Sequence, residues 1–200
     1  MSVPIPEEIK VQLLEIARDA LRSAGEREDL PPLDLSNLPV ELRHPGASFV
    51  TLSKDNALRG CIGGLKARLP LVEDVRQHTV AAALHDFRFP AIQADEVDDI
   101  QIEISILTEP EPLEYEDPEE LLDVLRPKVD GVIITDGKKR STFLPQVWER
   151  VPSPSIFLSM LCEKANLPAD AWQRGDLQVF IYQVETIHES QTPKEQSSQS

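Results

Sequence analysis

Cysteine is scarce in this 200-residue chain, which has only Cys61 and Cys162, and two thiols so far apart in sequence build no disulfide framework. Long apolar runs are missing as well: none approaches the roughly 18 residues of a membrane span. The opening stretch, MSVPIPEEIKVQLLEIARDALRSAG, has neither a basic leader nor a compact apolar segment, so no secretory signal is read there. Together these absences point to a cytoplasmic protein with reduced thiols and no membrane association. Positive charge is also short, with 20 Lys and Arg against 35 Asp and Glu, a formal net charge of −15. A general phosphate-binding surface needs the opposite balance, so non-specific nucleic-acid binding is not expected. A local basic pocket around Arg59, Lys66, Arg68 and Arg76 stays open, because the field inside a cleft can differ from the net charge. The chain contains no CxxC, HxxxH or HExxH, no phosphate-loop or dinucleotide fingerprint and no GxSxG. No metal and no cofactor is therefore assigned.

What is present is regular periodicity. Ile9, Leu13, Ile16, Ala17, Ala20 and Leu21 follow helical spacing, which predicts an amphipathic helix over 6–24 with Pro6 near its start and Gly25 past its end. A Pro-, Asp- and Asn-rich connection follows. The run SFVTLSKDNALRGCIGG then reads as two strands around a tight turn at Asp55-Asn56. Leu71, Val72, Val75, Thr79, Ala82 and Ala83 line one side of a second helix that ends near DFRFP. Ile100, Ile102, Ile104 and Ile106 alternate with polar residues, the pattern of a half-buried strand. Asp117-Pro118-Glu119-Glu120 opens another helix, GVIITDGKKRSTFLPQVW is a second hairpin around Asp136-Gly137, and Ser153-Pro154 starts a helix that stops near Asn166. A last strand alternates through Leu177, Val179 and Ile181, and the polar tail from 189 to 200 is expected to be disordered. A hairpin followed by a helix thus occurs twice, at 48–64 and at 131–144. Mixed helices and antiparallel strands make the class α+β.

Three of the eight glycines and one of the two cysteines fall within LRGCIGG, residues 58–64. On an extended strand Arg59 and Cys61 project side by side, while Gly60, Gly63 and Gly64 leave the backbone open to a substrate. A cation beside sulfur favours the thiolate, which is the nucleophile. The competing reading is a buried structural thiol with Arg59 paired to an acid, the commoner fate of free cysteine. A cysteine nucleophile also needs a base. His78 and His85 share a face of the second helix and suit that role as well as they suit ordinary boundary positions. His44 and His188 carry no specific signal. Cys61, His78 and His85 could meet as metal ligands only through tertiary folding. Cys162, in FLSMLCEK, reads as a core thiol.

The segments FVTLSKDNALRGCIGG, PLVEDVRQHTVAAALHDFRFP, IEISILTEPEPL, DGVIITDGKKRSTFLPQVW and FLSMLCEKANL resemble, in order and spacing, the AMMECR domain family, also called AmmeMemoRadiSam system protein A. The resemblance covers about residues 9–188. It implies a single domain over 1–188, built as a large and a small subdomain from two structural repeats around a mixed, barrel-like β-sheet. It also implies a site near the LRGCIG signature: Cys61 as nucleophile with Arg59, and Gly60, Gly63, Gly64, Arg88 and Gln146 as substrate-binding neighbours. The implied partners are Memo-like and radical-SAM proteins of a shared modification pathway. The alternative is a non-catalytic module that docks through the glycine-rich hairpin. Three departures from the family pattern stand out. Phe87 replaces a common proline, Asp130 replaces a frequent histidine before Gly131, and Asp55-Asn56 stands where a glycine is usual.

Overall fold

The structure, a computed structural model, describes residues 5–189. All but the first residue of the tail expected to be disordered therefore lie outside the described residues. The chain divides into two compact units, one formed by residues up to Ile106 together with those from Thr186 onward, the other by Leu107–Glu185.

In the first unit, α1 (Glu7–Glu26) buries Ile9, Leu13, Ala17, Ala20 and Leu21 on one stripe, as its spacing predicts. It runs past Gly25, the expected stop, and ends at Arg27 in the left-handed region with φ 62°. Gly25 stays helical because it is a contact point: a Cβ there would sit 2.6 Å from a methyl group of Val97. The connection that follows holds a short 3-10 turn at Leu35–Asn37 and a single helical turn, α2 (Val40–Arg43). β1 (Pro45–Lys54) and β2 (Ala57–Gly63) form the first hairpin, whose turn residues Asp55 and Asn56 both take positive φ, 52° and 63°. This is the twist-matched two-residue turn that the sequence requires. β3 (Leu69–Pro70) pairs with the start of β1 and leads into α3 (Leu71–Leu84). β4 (Ile100–Leu107) buries its alternate isoleucines.

The sheet order is β2-β1-β4-β9, with β9 (Val184–His188) completing it from the far end of the chain. α3 packs on β1 and α1 packs on α3. Leu13, Leu21, Val50, Leu52, Val72, Val75, Ile102 and Ile104 fill the space between these layers.

The second unit has its own sheet, in the order β5 (Glu111–Pro112), β8 (Gln178–Tyr182), β6 (Gly131–Thr135), β7 (Arg140–Phe143). α4 (Pro118–Val124) is capped as expected, with the Asp117 carboxylate accepting from the Glu120 amide at 2.8 Å. α5 (Pro154–Lys164) places Phe157 flat on Trp148, the ring centroids 3.6 Å apart. Those two rings with Val132, Ile134, Leu158, Leu161, Cys162 and Trp172 form a separate core. The expected last strand is β8; a further strand, β9, follows it after Gln183 and belongs to the other sheet. Gln183 is clasped to Thr108, its carbonyl accepting from the Thr108 amide and its amide donating to the Thr108 hydroxyl, each at 2.9 Å.

The class is α+β with two hairpin-and-helix units, and the strands form two sheets rather than a closed barrel. Among the described residues, no helix is long and apolar enough to cross a membrane.

Candidate functional site at the Cys61 edge

The register of the first hairpin decides where Cys61 points. Lys54 lies opposite Ala57 and Ser53 opposite Leu58, as the turn dictates, but Leu52 then lies opposite Gly60. Arg59 is thus an extra residue in β2, a bulge. Without it, Cys61 would face Val50, which is fully buried beneath α3. With it, Cys61 lies opposite Thr51, on the sheet face turned away from α3. Gly60 points the other way, so close to α3 that a Cβ would collide with the Ala82 carbonyl oxygen.

Cys61 is half-buried, and the Thr51 hydroxyl donates to its sulfur at 3.4 Å. β2 is an edge strand, and the backbone of Cys61 is paired by side chains where a neighbouring strand would stand. Its amide donates to Asp86 Oδ2 at 2.9 Å, and its carbonyl accepts from Arg88 Nη2 at 3.2 Å. Asp86 is 4% exposed and also receives the Arg88 backbone amide at 3.1 Å, Arg88 Nε at 2.9 Å and Arg88 Nη2 at 2.6 Å. The Arg88 guanidinium holds the Asp86 carboxyl far below the usual carboxylate range, against a burial cost that acts the other way. Asp86 in turn raises the Arg88 guanidinium, and the Cys61 sulfur adds to that rise. Arg88 Nη1 makes no hydrogen bond among the described residues. Phe87, beside it, is 96% exposed.

The cation that attends the thiol is therefore Arg88 of DFRFP. Arg59 turns to Glu96, with Nε at 3.2 Å and Nη2 at 2.8 Å, while its Nη1 donates to the Pro90 carbonyl at 2.6 Å. That pair lowers the Glu96 carboxyl and ties the bulge to the 3-10 turn at Ala94–Asp99. Gly63 lies under the Phe49 ring, so close that a Cβ would overlap it, and Gly64 lies beside His78. Gln146 is exposed on the 3-10 turn Pro145–Glu149 of the second unit.

On the opposite face of the hairpin, α3 carries a polar cluster. Asp74 Oδ2 accepts from the Ser48 amide at 2.9 Å and the Ser48 hydroxyl at 2.7 Å, and lies 3.1 Å from His78 Nδ1. His85 caps the end of α3 and is exposed. Arg76 is buried against Glu73 and the Pro31 carbonyl, whereas Lys66 and Arg68 are exposed. Cys162 is a core thiol whose pKa is pushed up by burial. Among the described residues, no group of three or more His, Cys, Asp or Glu is placed to hold a metal. Thr51, Ser48 and Asp74 were not singled out from the sequence. Asp74 could have been, since it stands four residues before His78 on a helix. Thr51 depends on the bulge.

Comparison with known proteins bears on most of the chain. The AMMECR1 family model matches residues 14–187. A protein of Thermofilum pendens is 38% identical over 199 aligned positions, spanning 91% of this chain and 90% of its own length. A protein of Methanothermobacter thermautotrophicus is 38% identical over 184 positions, spanning 88% and 92%. The crystal structure of the uncharacterized protein PH0010 from Pyrococcus horikoshii matches with a TM-score of 0.80 at 33% identity, over 93% of this chain and 94% of that one.

Proposed function

The chain belongs to the AMMECR1 family, and from that premise we propose that it is a cysteine-dependent enzyme or enzyme subunit whose nucleophile is Cys61. The observation that carries this reading is the bulge at Arg59, which turns the thiol away from the core to lie beside the Thr51 hydroxyl and the Arg88 side chain. In the reaction, the Cys61 thiolate attacks an electrophilic carbon such as an acyl carbon. An S–C bond forms, and the leaving group departs with the bonding electron pair; water then releases the acid and restores the thiol. Arg88 Nη1 binds the oxygen that gains negative charge, and Asp86 fixes the guanidinium in place. Arg59 acts as a positioning residue, holding the bulge against Glu96. Of the remaining substrate-binding candidates, Gly64 keeps an uncrowded backbone, Gly63 is covered by Phe49, and Gln146 is exposed on the second unit. By family resemblance, the substrate belongs to a modification pathway shared with Memo-like and radical-SAM proteins.

Iodoacetamide labelling of the native protein near neutral pH, read by peptide mass spectrometry, tests the reading with an internal control. Cys61 should alkylate about tenfold faster than a free cysteine in a short peptide, and Cys162 hardly at all. Arg88→Gln should remove most of that advantage. Labelling no faster than the peptide, together with unchanged pathway activity in Cys61→Ala, would exclude nucleophilic catalysis.

The exposed Phe87 favours a second reading, a docking module for one of the pathway proteins. A Cys61→Ser variant that keeps full function and still co-purifies with its partner supports docking, and loss of that complex in Phe87→Ala places the contact.

A further inference from the structure

The polar cluster on the α3 side of the hairpin has no part in the thiol reading, because it lies on the other face of the sheet. Its centre is Asp74, 6% exposed, whose Oδ2 meets three groups: the Ser48 amide, the Ser48 hydroxyl and His78 Nδ1. The Ser48 hydroxyl has one proton and gives it to Asp74 at 2.7 Å, so its 3.4 Å approach to the imidazole is not a donation. The proton between His78 and Asp74 therefore sits on Nδ1. This fixes the ring orientation and leaves Nε2 as the working nitrogen.

Nε2 has no hydrogen-bond partner among the described residues, yet no buried side-chain nitrogen or oxygen there lacks one, so Nε2 reaches solvent. It opens beside Gly64, where a Cβ would stand 3.7 Å from Nε2 and 3.6 Å from Cε1. The backbone passes along the edge of the ring without covering it.

The stretch of chain that passes this opening departs in charge from the rest of the sequence. Residues 57–72, ALRGCIGGLKARLPLV, contain three cations and no acid in a chain of net charge −15. Arg59 is committed to Glu96, but Lys66 and Arg68, two and four residues beyond Gly64, are exposed and have no ion-pair partner among the described residues. Two exposed cations and an imidazole suit a doubly charged oxyanion better than a single carboxylate. Nε2 can accept a hydrogen bond from a protonated phosphate oxygen, or donate one to a bare oxygen when it carries a proton.

We propose that His78, held by Asp74 and opening beside Gly64, forms with Lys66 and Arg68 a binding site for a phosphate monoester. The site is distinct from the thiol of Cys61.

The test is a titration of the full-length protein with inorganic phosphate at constant ionic strength, followed through the His78 imidazole signals by two-dimensional NMR. Phosphate should shift the His78 resonances saturably, and acetate at the same concentration should shift them far less. Lys66→Gln with Arg68→Gln, both on exposed positions, should weaken phosphate binding about tenfold or more, the effect of losing at least one charge contact. Cys61→Ala should bind phosphate as the wild type does, which keeps this site's failure separate from that of the thiol reading. A shift that does not saturate, equal affinity in the double variant, or loss of binding in Cys61→Ala would each overturn the proposal.

Discussion

Asp86 receives four hydrogen bonds on a carboxylate that is almost wholly buried, and three of them come from Arg88. The arrangement stores stability in a pH-dependent form. In the unfolded chain an aspartate takes up its proton near about pH 3.9, whereas in the folded protein the Arg88 guanidinium keeps Asp86 ionised to lower pH. The unfolded state binds the proton first. The stabilisation is therefore complete above that range and drains away as the pH falls through it. Asp86→Asn keeps the shape and removes the charge, and should lower stability at about pH 7 by about 2 kcal/mol, the scale of hydrogen bonds to a charged group. Urea unfolding at a series of pH values checks this: the gap between wild type and variant should narrow below about pH 4. A gap that stays constant down to about pH 3 would show that the charge contributes nothing. The contrast between the two arginines belongs to this scale as well. Arg59 is close to the thiol in sequence but spends its donors on Glu96 and Pro90, while Arg88, far along the chain, bonds the Cys61 carbonyl and keeps one terminal nitrogen without a partner among the described residues.

At the scale of elements, the first hairpin is held in two phases. The Asp55-Asn56 turn sets the pairing from its end, and the contact of Gly60 with α3 sets it from the other. Gly60→Ala should be destabilising by about 1–3 kcal/mol, the cost of overpacking against a backbone that cannot yield. Gly64→Ala, with ordinary contact distances, should leave the thermal midpoint nearly unchanged. Equal midpoints for the two variants would contradict the close packing of β2 on α3. Much of the fold was legible because local rules and tertiary environment agree there. The alternating isoleucines of β4, the Asp117-Pro118 helix start and the turn Asp55-Asn56 each specify their own structure. The bulge was not legible, since no residue between Leu58 and Cys61 demands an extra position, and only the fit to α3 requires one. β9 was hidden because Val184–His188 carries only two apolar residues, and nothing local marks Gln183 as the division between two sheets. The edge clamp by Asp86 and Arg88 depends on side chains standing in for a strand, which periodicity cannot reveal. The placement of LRGCIGG on a hairpin strand was readable, but the neighbours of its thiol were not.

For the molecule as a whole, an excess of 15 negative charges spreads repulsion over the surface that the ion pairs only partly relieve. Raising salt from about 0.01 M to about 0.15 M cuts the screening length from about 30 Å to about 8 Å. The thermal midpoint at neutral pH should therefore rise with added sodium chloride, as differential scanning calorimetry would record, and a fall would mean that exposed ion pairs outweigh the net repulsion. Gln183 has a wider consequence, which concerns the order of synthesis. The second unit is one unbroken stretch, whereas the first is interrupted by it and resumes only at Thr186. On the ribosome the first unit therefore begins early and finishes last. Until residues 184–188 emerge, β4 offers an unpaired edge beside its row of isoleucines. Arg18 likewise lacks Glu189, the acid that closes on its guanidinium. The last few described residues are thus the ones that seal the unit carrying Cys61 and His78, after everything between has already had time to fold.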